Sequence, residues 1–286
     1  MGQLGTQDFA KYPFLAEAGN YLQDKGLTLE QLVHPDWAPL LERAYGRIVV
    51  ATSGQIYDAQ RFEKKVYDSN EIDVEILSFI VATILLKSAN INTLTRRFSL
   101  SESRRAEKHL ESDLKQNKES DVIKVNFALK IIQDLFSVTV IVENDEFLMN
   151  VPSYIKRAVH FHEKEWKLVN RSVSNGFVHL SAHETVRLIR TELGEYITSR
   201  IKSIDLPPLP EIFVRRVNDL VSLATKFSET TYVSSEYPPC VKHGIEVLEK
   251  GENLPHSGRF LLATYLLSKG QTVDQIAPLF KNAPDY

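Results

Sequence analysis

The residues best equipped for chemistry sit toward the C-terminal end. Cys240 follows Pro238 and Pro239 at the start of a helical stretch. A helix N-terminus favours a thiolate, which could ligate a metal or act as a nucleophile. A lone cysteine is also a common small hydrophobe, and that reading stays open. A cysteine nucleophile needs a histidine base and an orienting third group. His243 and His256 are near in sequence, but no signature of a thiol hydrolase surrounds them. His256-Ser257-Gly258-Arg259 is a second constellation. Ser257 could cap a helix, and Gly258 would let a ligand approach the backbone. His256 and Arg259 could then meet a phosphate at that helix N-terminus. A capped helix with a purely structural role is the plainer alternative. His160, His162, His179 and His183 could form a metal cluster, yet the compact H-E-x-x-H motif is absent. Scattered surface histidines explain them as well. The chain has no P-loop, no G-x-G-x-x-G and no carboxylate pair in a recognisable polymerase or nuclease setting. That pattern favours a binding or regulatory role.

The elements that must position these residues are mostly helical. Pro13, Pro35, Pro39, Gly26 and Gly54 punctuate short helices in the first part of the chain. Asn70 stands as an N-cap before Glu71, Asp73 and Glu75, whose charges suit a helix N-terminus. Ile76, Leu77, Ile80, Val81, Ile84 and Leu85 then make that helix apolar on most faces, which predicts a central buried helix. A second helix is expected over 93–115, with Arg96, Arg97, Arg104, Arg105 and Lys108 on its polar face. After position 133 the period changes. Val138, Val140 and Val142 alternate, 143–146 is a turn, and 147–151 reads as a return strand. A second strand pair is expected over 167–173 and 177–180, joined by Ser174-Asn175-Gly176. Ser181 and Glu184 form a capping box opening the next helix. Pro207, Pro208 and Pro210 stop it, and one more helix is expected over 211–227. The polar stretch 228–239 reads as a linker; as a flexible coil it would span about 20 Å. Three short helices follow, over 240–250, 257–269 and 273–282. Gly251 and Gly270 mark their C-terminal ends, and Thr272 with Gln275 makes a further capping box.

Composition limits the class. The 286 residues are 43% apolar and 25% charged, as in ordinary soluble chains. The net charge is −3, which excludes a protein that coats nucleic acid by charge alone. Between positions 87 and 130 ten basic residues face six acidic ones, leaving −7 for the remainder. That is weak evidence for a phosphate-bearing partner, and a solvated helix face is the plainer explanation. The apolar run 76–86 is too short for a bilayer, which takes roughly 20 residues. The opening residues carry no secretory signal. One cysteine excludes an internal disulfide and points to a reducing, cytoplasmic setting.

Read together, three stretches resemble the large, non-catalytic subunit of the archaeal and eukaryotic type of DNA primase, most closely the archaeal form. Arg96-Arg97-Phe98-Ser99-Leu100-Ser101-Glu102-Ser103-Arg104-Arg105-Ala106 looks like the family's basic helix. Trp166-Lys167-Leu168-Val169-Asn170-Arg171, with Gly176 and Arg187-Leu188-Ile189, looks like its α/β subdomain. Pro238-Pro239-Cys240-Val241-Lys242-His243, the stretch from Gly251 through His256-Ser257-Gly258-Arg259-Phe260, and Ala283-Pro284-Asp285-Tyr286 look like the opening of its iron–sulfur domain.

The resemblance implies a mostly α fold with a small α/β subdomain and an all-α C-terminal segment. A helical domain over 1–206, with its α/β part at about 134–202, would dock the catalytic small subunit. A helix and linker over 207–239 would lead to a partial iron–sulfur-type domain over 240–286. Tyr154 and Ile155, within a segment 151–161 near strand edges, are the expected partner contacts, although internal packing accounts for them equally. Cys240 matches the first ligand of a [4Fe–4S] cluster, which needs four thiolates. The family's other three cysteines would lie beyond Tyr286. A chain truncated within the motif is therefore expected, and one carrying no iron as it stands. His256 and Arg259 match positions that contact template DNA, the initiating nucleotide and the 5′ end of the RNA primer. The implied role is a replication subunit in the cytoplasm with the nucleoid-associated machinery, whose partner performs the nucleotidyl transfer. A helical protein-interaction adaptor without a nucleic-acid role is the alternative.

Overall fold

A computed structural model describes residues 6–16, 18–58, 71–115, 122–143, 146–161, 163–228, 237–249, 253–281 and 283. The first helices are α1 (Thr6–Lys11), α2 (Ala18–Asp24), α3 (Ala38–Thr52), α4 (Glu71–Ala89), α5 (Asn92–Leu114) and α6 (Val122–Phe136). A small α/β unit follows, comprising β1 (Val140–Glu143), β2 (Glu146–Asn150), α7 (Val151–Ala158), β3 (Val173–Ser174) and β4 (Phe177–Leu180). Then come α8 (Ala182–Ser203), α9 (Glu211–Ser228), α10 (Pro239–Glu249), α11 (His256–Ser268) and α12 (Val273–Phe280). The fold is mostly α with one small antiparallel sheet. Among the described residues no helix is long and apolar enough to cross a membrane.

α4 is the axis, as its all-round apolar pattern predicts: Ile76, Leu77, Ile80, Val81, Ile84 and Leu85 are all buried. A helix with no polar face is stable only when neighbours surround it, and α3, α8 and α9 pack against it. α5 and α8 cross closely because small residues meet there. Thr198 Oγ1 donates to Ser99 Oγ at 2.9 Å. A Cβ added at Gly194 would lie 3.6 Å from Ser103 Oγ.

The sheet order is β1-β2-β4-β3, all antiparallel. Leu148 lies opposite His179, and Val173 opposite Val178. Val178 and Leu180 point inward and are buried, as alternation requires. The β3–β4 turn places Asn175 at φ +49 and Gly176 at φ +82, the left-handed pair that Asn-Gly supports. At the start of α8 the capping box is formed: Ser181 Oγ accepts from Glu184 N at 3.2 Å, and Glu184 Oε2 accepts from Ser181 N at 2.8 Å.

Three expectations change. The return strand expected over 147–151 ends at Asn150, and the segment after it, placed near strand edges, is a helix. Asn150 turns the chain by accepting from Ser153 N at 2.8 Å, and Pro152 suits a first helical turn. The expected strand over 167–173 shrinks to Val173–Ser174, with a 3-10 turn at Leu168–Asn170 before it. Trp166 draws this segment out of the sheet by stacking on Phe161 at 4.4 Å, and Asn170 Nδ2 ties it back to Lys164 O at 2.6 Å. Third, the arginines of α5 are not one solvated face. Arg105 is buried, Arg97 and Arg104 are half-buried, and Arg96 and Lys108 are exposed. Asn70, Gly251, His162 and most of the 228–239 linker lie outside the described residues.

His109 on α5 gives the N-terminal region an acid-sensitive point. Its ring meets Tyr12 edge-on at 6.3 Å, and Tyr12 Oη donates to Asp113 Oδ2 at 2.7 Å. Burial, then the charges of Arg105 and Lys11, push the His109 pKa down to about 4. The unfolded chain binds that proton near pH 6.5, so its uptake favours unfolding as pH falls from 6.5 toward 4. Allowing for partial exposure, this group should remove about 1–2 kcal/mol between pH 7 and pH 5. Urea melts at the two pH values check it: His109→Phe should lose less stability than the parent over the same interval.

Candidate nucleic-acid and partner interfaces

The C-terminal helices enclose their own apolar core, built from Val241, Ile245, Leu248, Leu254, Leu262, Leu266, Ile276 and Leu279. α11 begins one residue earlier than the sequence suggests. Pro255 is the N-cap, with no side-chain cap bond, and Ser257 lies inside the first turn. His256 is therefore the first helical residue and is exposed, at a helix end whose N-cap residue offers no side-chain acceptor. Gly258 serves packing: a Cβ there would come within 3.0 Å of Leu254 Cγ. Arg259 lies one turn after His256, so the two stand at the same helix end. Its Nε donates to Leu254 O at 2.7 Å, and its guanidinium also meets Asn253 Oδ1. Asn253 in turn reaches Glu163.

Cys240 is an exposed free thiol in the first turn of α10. Among the described residues no group of three His, Cys, Asp or Glu side chains is arranged to hold a metal. One thiolate does not fit a four-iron cluster. Two of the four histidines considered as metal ligands meet carboxylates instead. His179 Nδ1 lies 2.6 Å from Glu146, and His183 Nδ1 lies 3.0 Å from Glu111.

Tyr154 and Ile155 part company on α7. The Tyr154 ring is 0% exposed, and its Oη donates to Trp166 O at 2.7 Å. Burial pushes this phenol above its ordinary pKa. A side chain with no accessible surface cannot anchor a partner on the folded chain, so Tyr154 is a packing residue. Ile155 is 48% exposed and Val159, one turn on, is 66% exposed. Those two form an outward apolar strip.

α5 carries a row of guanidinium groups beneath the C-terminal helices. Arg104 donates to Lys281 O at 3.0 Å and Ala283 O at 2.9 Å. Burial, then the neighbouring Arg190, pulls its pKa down to about 10. Arg97 donates to Thr52 O at 2.6 Å. Glu249 at the end of α10 feels Arg97 and Arg96, but burial outweighs them and raises its carboxyl pKa.

A buried ionic cluster is not legible in the sequence. Arg47 is 0% exposed and makes a bidentate pair with Glu102, at 2.7 and 2.9 Å. Arg43 and Arg105 both pair with Glu75, at 2.8 and 3.0 Å. The signal that could have found it is Glu75 itself, a carboxylate adjoining a strongly apolar helical run.

Comparison with known proteins bears on the same surfaces. Residues 230–285 match a family model that describes the C-terminal domain of the large subunit of eukaryotic and archaeal DNA primase. That stretch includes Cys240, His256 and Arg259. The chain is 30% identical to the DNA primase large subunit PriL of Methanosarcina barkeri, over 99% of this chain and 67% of that protein. It is 29% identical to the PriL of Methanocella arvoryzae, over 97% of this chain and 73% of that protein. The Halobacterium salinarum PriL is 26% identical over 97% of this chain and 77% of its own length. With similarity running from the N-terminal helices through α12, this chain belongs to the DNA primase large-subunit family.

Proposed function

We propose that the chain is the regulatory, non-catalytic subunit of a replicative primase, which binds the catalytic small subunit and helps hold template, initiating nucleotide and primer 5′ end. The observation that carries this reading is the start of α11. His256 and Arg259 share a helix end whose N-cap residue, Pro255, supplies no side-chain cap, inside the stretch matched by the large-subunit model. Such an end attracts phosphate oxygens through its N–H groups and dipole. Arg259 is fixed to its own loop through Leu254 O, so its fork is oriented before a ligand arrives. The exposed Ile155–Val159 strip of α7 suits the core of a protein interface. Bond-making then belongs to the small subunit, and this chain contributes by holding the two substrates of the first step together. A [4Fe–4S] cluster belongs with the family's full ligand set, and the holding role of α11 does not depend on it. The setting we infer is the cytoplasm, with the replication machinery.

The test is primer synthesis by the complex of this chain with its small subunit. His256→Ala with Arg259→Ala removes charge-assisted contacts of about 1.5–3 kcal/mol, so initiation should slow roughly 10- to 100-fold while elongation stays within about twofold. Equal loss in both phases would remove these residues from a role in initiation.

A further inference from the structure

A hydrogen-bonded chain of side chains on the outer face of the sheet has no part in the roles described above. Val178 and Leu180 of β4 are buried in the core, so alternation turns Phe177 and His179 outward. Register sets their neighbours. Leu148 of β2 lies opposite His179, Ile141 of β1 opposite Leu148, and Ser174 of β3 opposite Phe177. Across this face Ser174 Oγ lies 2.7 Å from His179 Nε2, and His179 Nδ1 lies 2.6 Å from Glu146 Oε2. An ionised carboxylate only accepts hydrogen bonds, so Glu146 holds the ring proton on Nδ1. Nε2 is left as an acceptor, and the Ser174 hydroxyl donates to it.

That order of groups is a nucleophile, its base and the acid that orients the base. Ser174 is exposed and leads into the Asn175-Gly176 turn. Gly176 O accepts from Val151 N at 3.0 Å, which ties the turn to the start of α7. Among the described residues no backbone carbonyl takes the N–H of Asn175 or Gly176. An N–H directly after the nucleophile is a common oxyanion donor in acyl transfer. Leu148, Phe177 and Ile141, the last 44% exposed, give the same face an apolar floor. Glu143 stands opposite Glu146, so the two carboxylates at the rim disfavour anionic substrates.

We propose that Ser174, His179 and Glu146 form a reactive-serine site that hydrolyses small, apolar, uncharged carboxylic esters. The activity is separate from primer synthesis. His179 Nε2 takes the hydroxyl proton as Ser174 Oγ bonds to the ester carbonyl carbon. The bond from that carbon to the alcohol oxygen then breaks, and the alcohol leaves with the proton. Water repeats the sequence: it gives a proton to Nε2 while its oxygen bonds to the acyl carbon. Ser174 Oγ then leaves and recovers the proton. Acid and alcohol are the products, and the chain is regenerated. Glu146 is a positioning residue, which fixes the ring and stabilises the imidazolium that forms.

The test uses the full chain carrying Cys240→Ser, which removes the exposed thiol as a competing acyl acceptor. p-Nitrophenyl acetate should be hydrolysed faster than in the blank, and a fluorophosphonate should label Ser174, located by peptide mass spectrometry. Ser174→Ala should abolish both the labelling and the hydrolysis above the blank; the side chain is exposed, so the fold should be kept. His179→Ala should slow hydrolysis about 100-fold. Glu146→Ala should lower kcat about tenfold with KM within about twofold, and Glu146→Asp should restore part of that loss. Hydrolysis that is unchanged in Ser174→Ala, a fluorophosphonate label found only on other residues, or no label at all would overturn the proposal.

Discussion

Replacing Arg47 by Ala should destabilise the fold by about 3–5 kcal/mol, the largest effect expected from any single change away from the interfaces. The side chain is 0% exposed, on α3 between α4 and α5. Its Nε and one amino group clamp Glu102 at 2.7 and 2.9 Å. The other amino group donates to Glu75 O at 3.0 Å and Ser78 Oγ at 2.9 Å. The guanidinium carbon lies 4.3 Å from the centre of the Tyr57 ring. Truncation removes all of this and leaves Glu102 buried, with Arg105 at 3.8 Å as its remaining ion-pair partner. An uncompensated buried carboxylate is the costly part, because desolvation is no longer offset by a close opposite charge. Lys at this position should not restore stability, since a point charge cannot reproduce the two-pronged clamp. Chemical denaturation of the two variants and the parent decides it. A loss under about 1 kcal/mol for Arg47→Ala would show that the cluster does not hold the three helices together.

The same cluster sets an acid limit. Burial by itself would raise the Glu75 pKa, but Arg47, Arg105 and Arg43 outweigh it and hold the carboxyl below its ordinary value. Its stabilisation is therefore present above the ordinary carboxylate range and lost as pH falls through the lower folded value. That window lies below the one governed by His109.

The second large effect is on assembly. Ile155→Asp combined with Val159→Asp should weaken binding to the catalytic small subunit at least about 30-fold, enough to abolish co-purification. Two carboxylates would replace apolar surface that a partner must desolvate. The folded chain should tolerate the change, because both side chains already face solvent at 48% and 66% exposure. Tyr154→Phe is the contrasting variant. It removes the bond to Trp166 O and should cost about 1 kcal/mol of stability while leaving the complex intact. A double-Asp variant that still co-purifies would move the docking surface elsewhere. Thermal melts of the isolated variants separate lost binding from lost folding.

These two cases mark where reading the residues succeeds and where it stops. α4 declares itself, since Ile76, Leu77, Ile80, Val81, Ile84 and Leu85 leave no polar face to turn outward. The Ser181–Glu184 box and the Asn175-Gly176 turn are equally plain. So is the second box, in which Gln275 Oε1 accepts from Thr272 N at 2.7 Å. Resemblance along the chain identifies the family. By contrast, α7 goes unread in the sequence, because the decision rests on the Asn150 side chain bonding Ser153 N instead of extending the sheet. The arginines of α5 look alike in sequence, yet Arg105 enters the ionic core, Arg104 reaches the end of α12 and Arg96 meets solvent.

The division follows from range. Caps, turns and amphipathic period are interactions between residues at most four apart, so a linear chain displays them directly. Arg47 meets a carboxylate 55 residues away, and Arg104 a carbonyl 177 residues away. Which charge is buried, which tyrosine is hidden and which isoleucine is offered to a partner depend on how the helices pack, and only the folded chain brings those distant groups together.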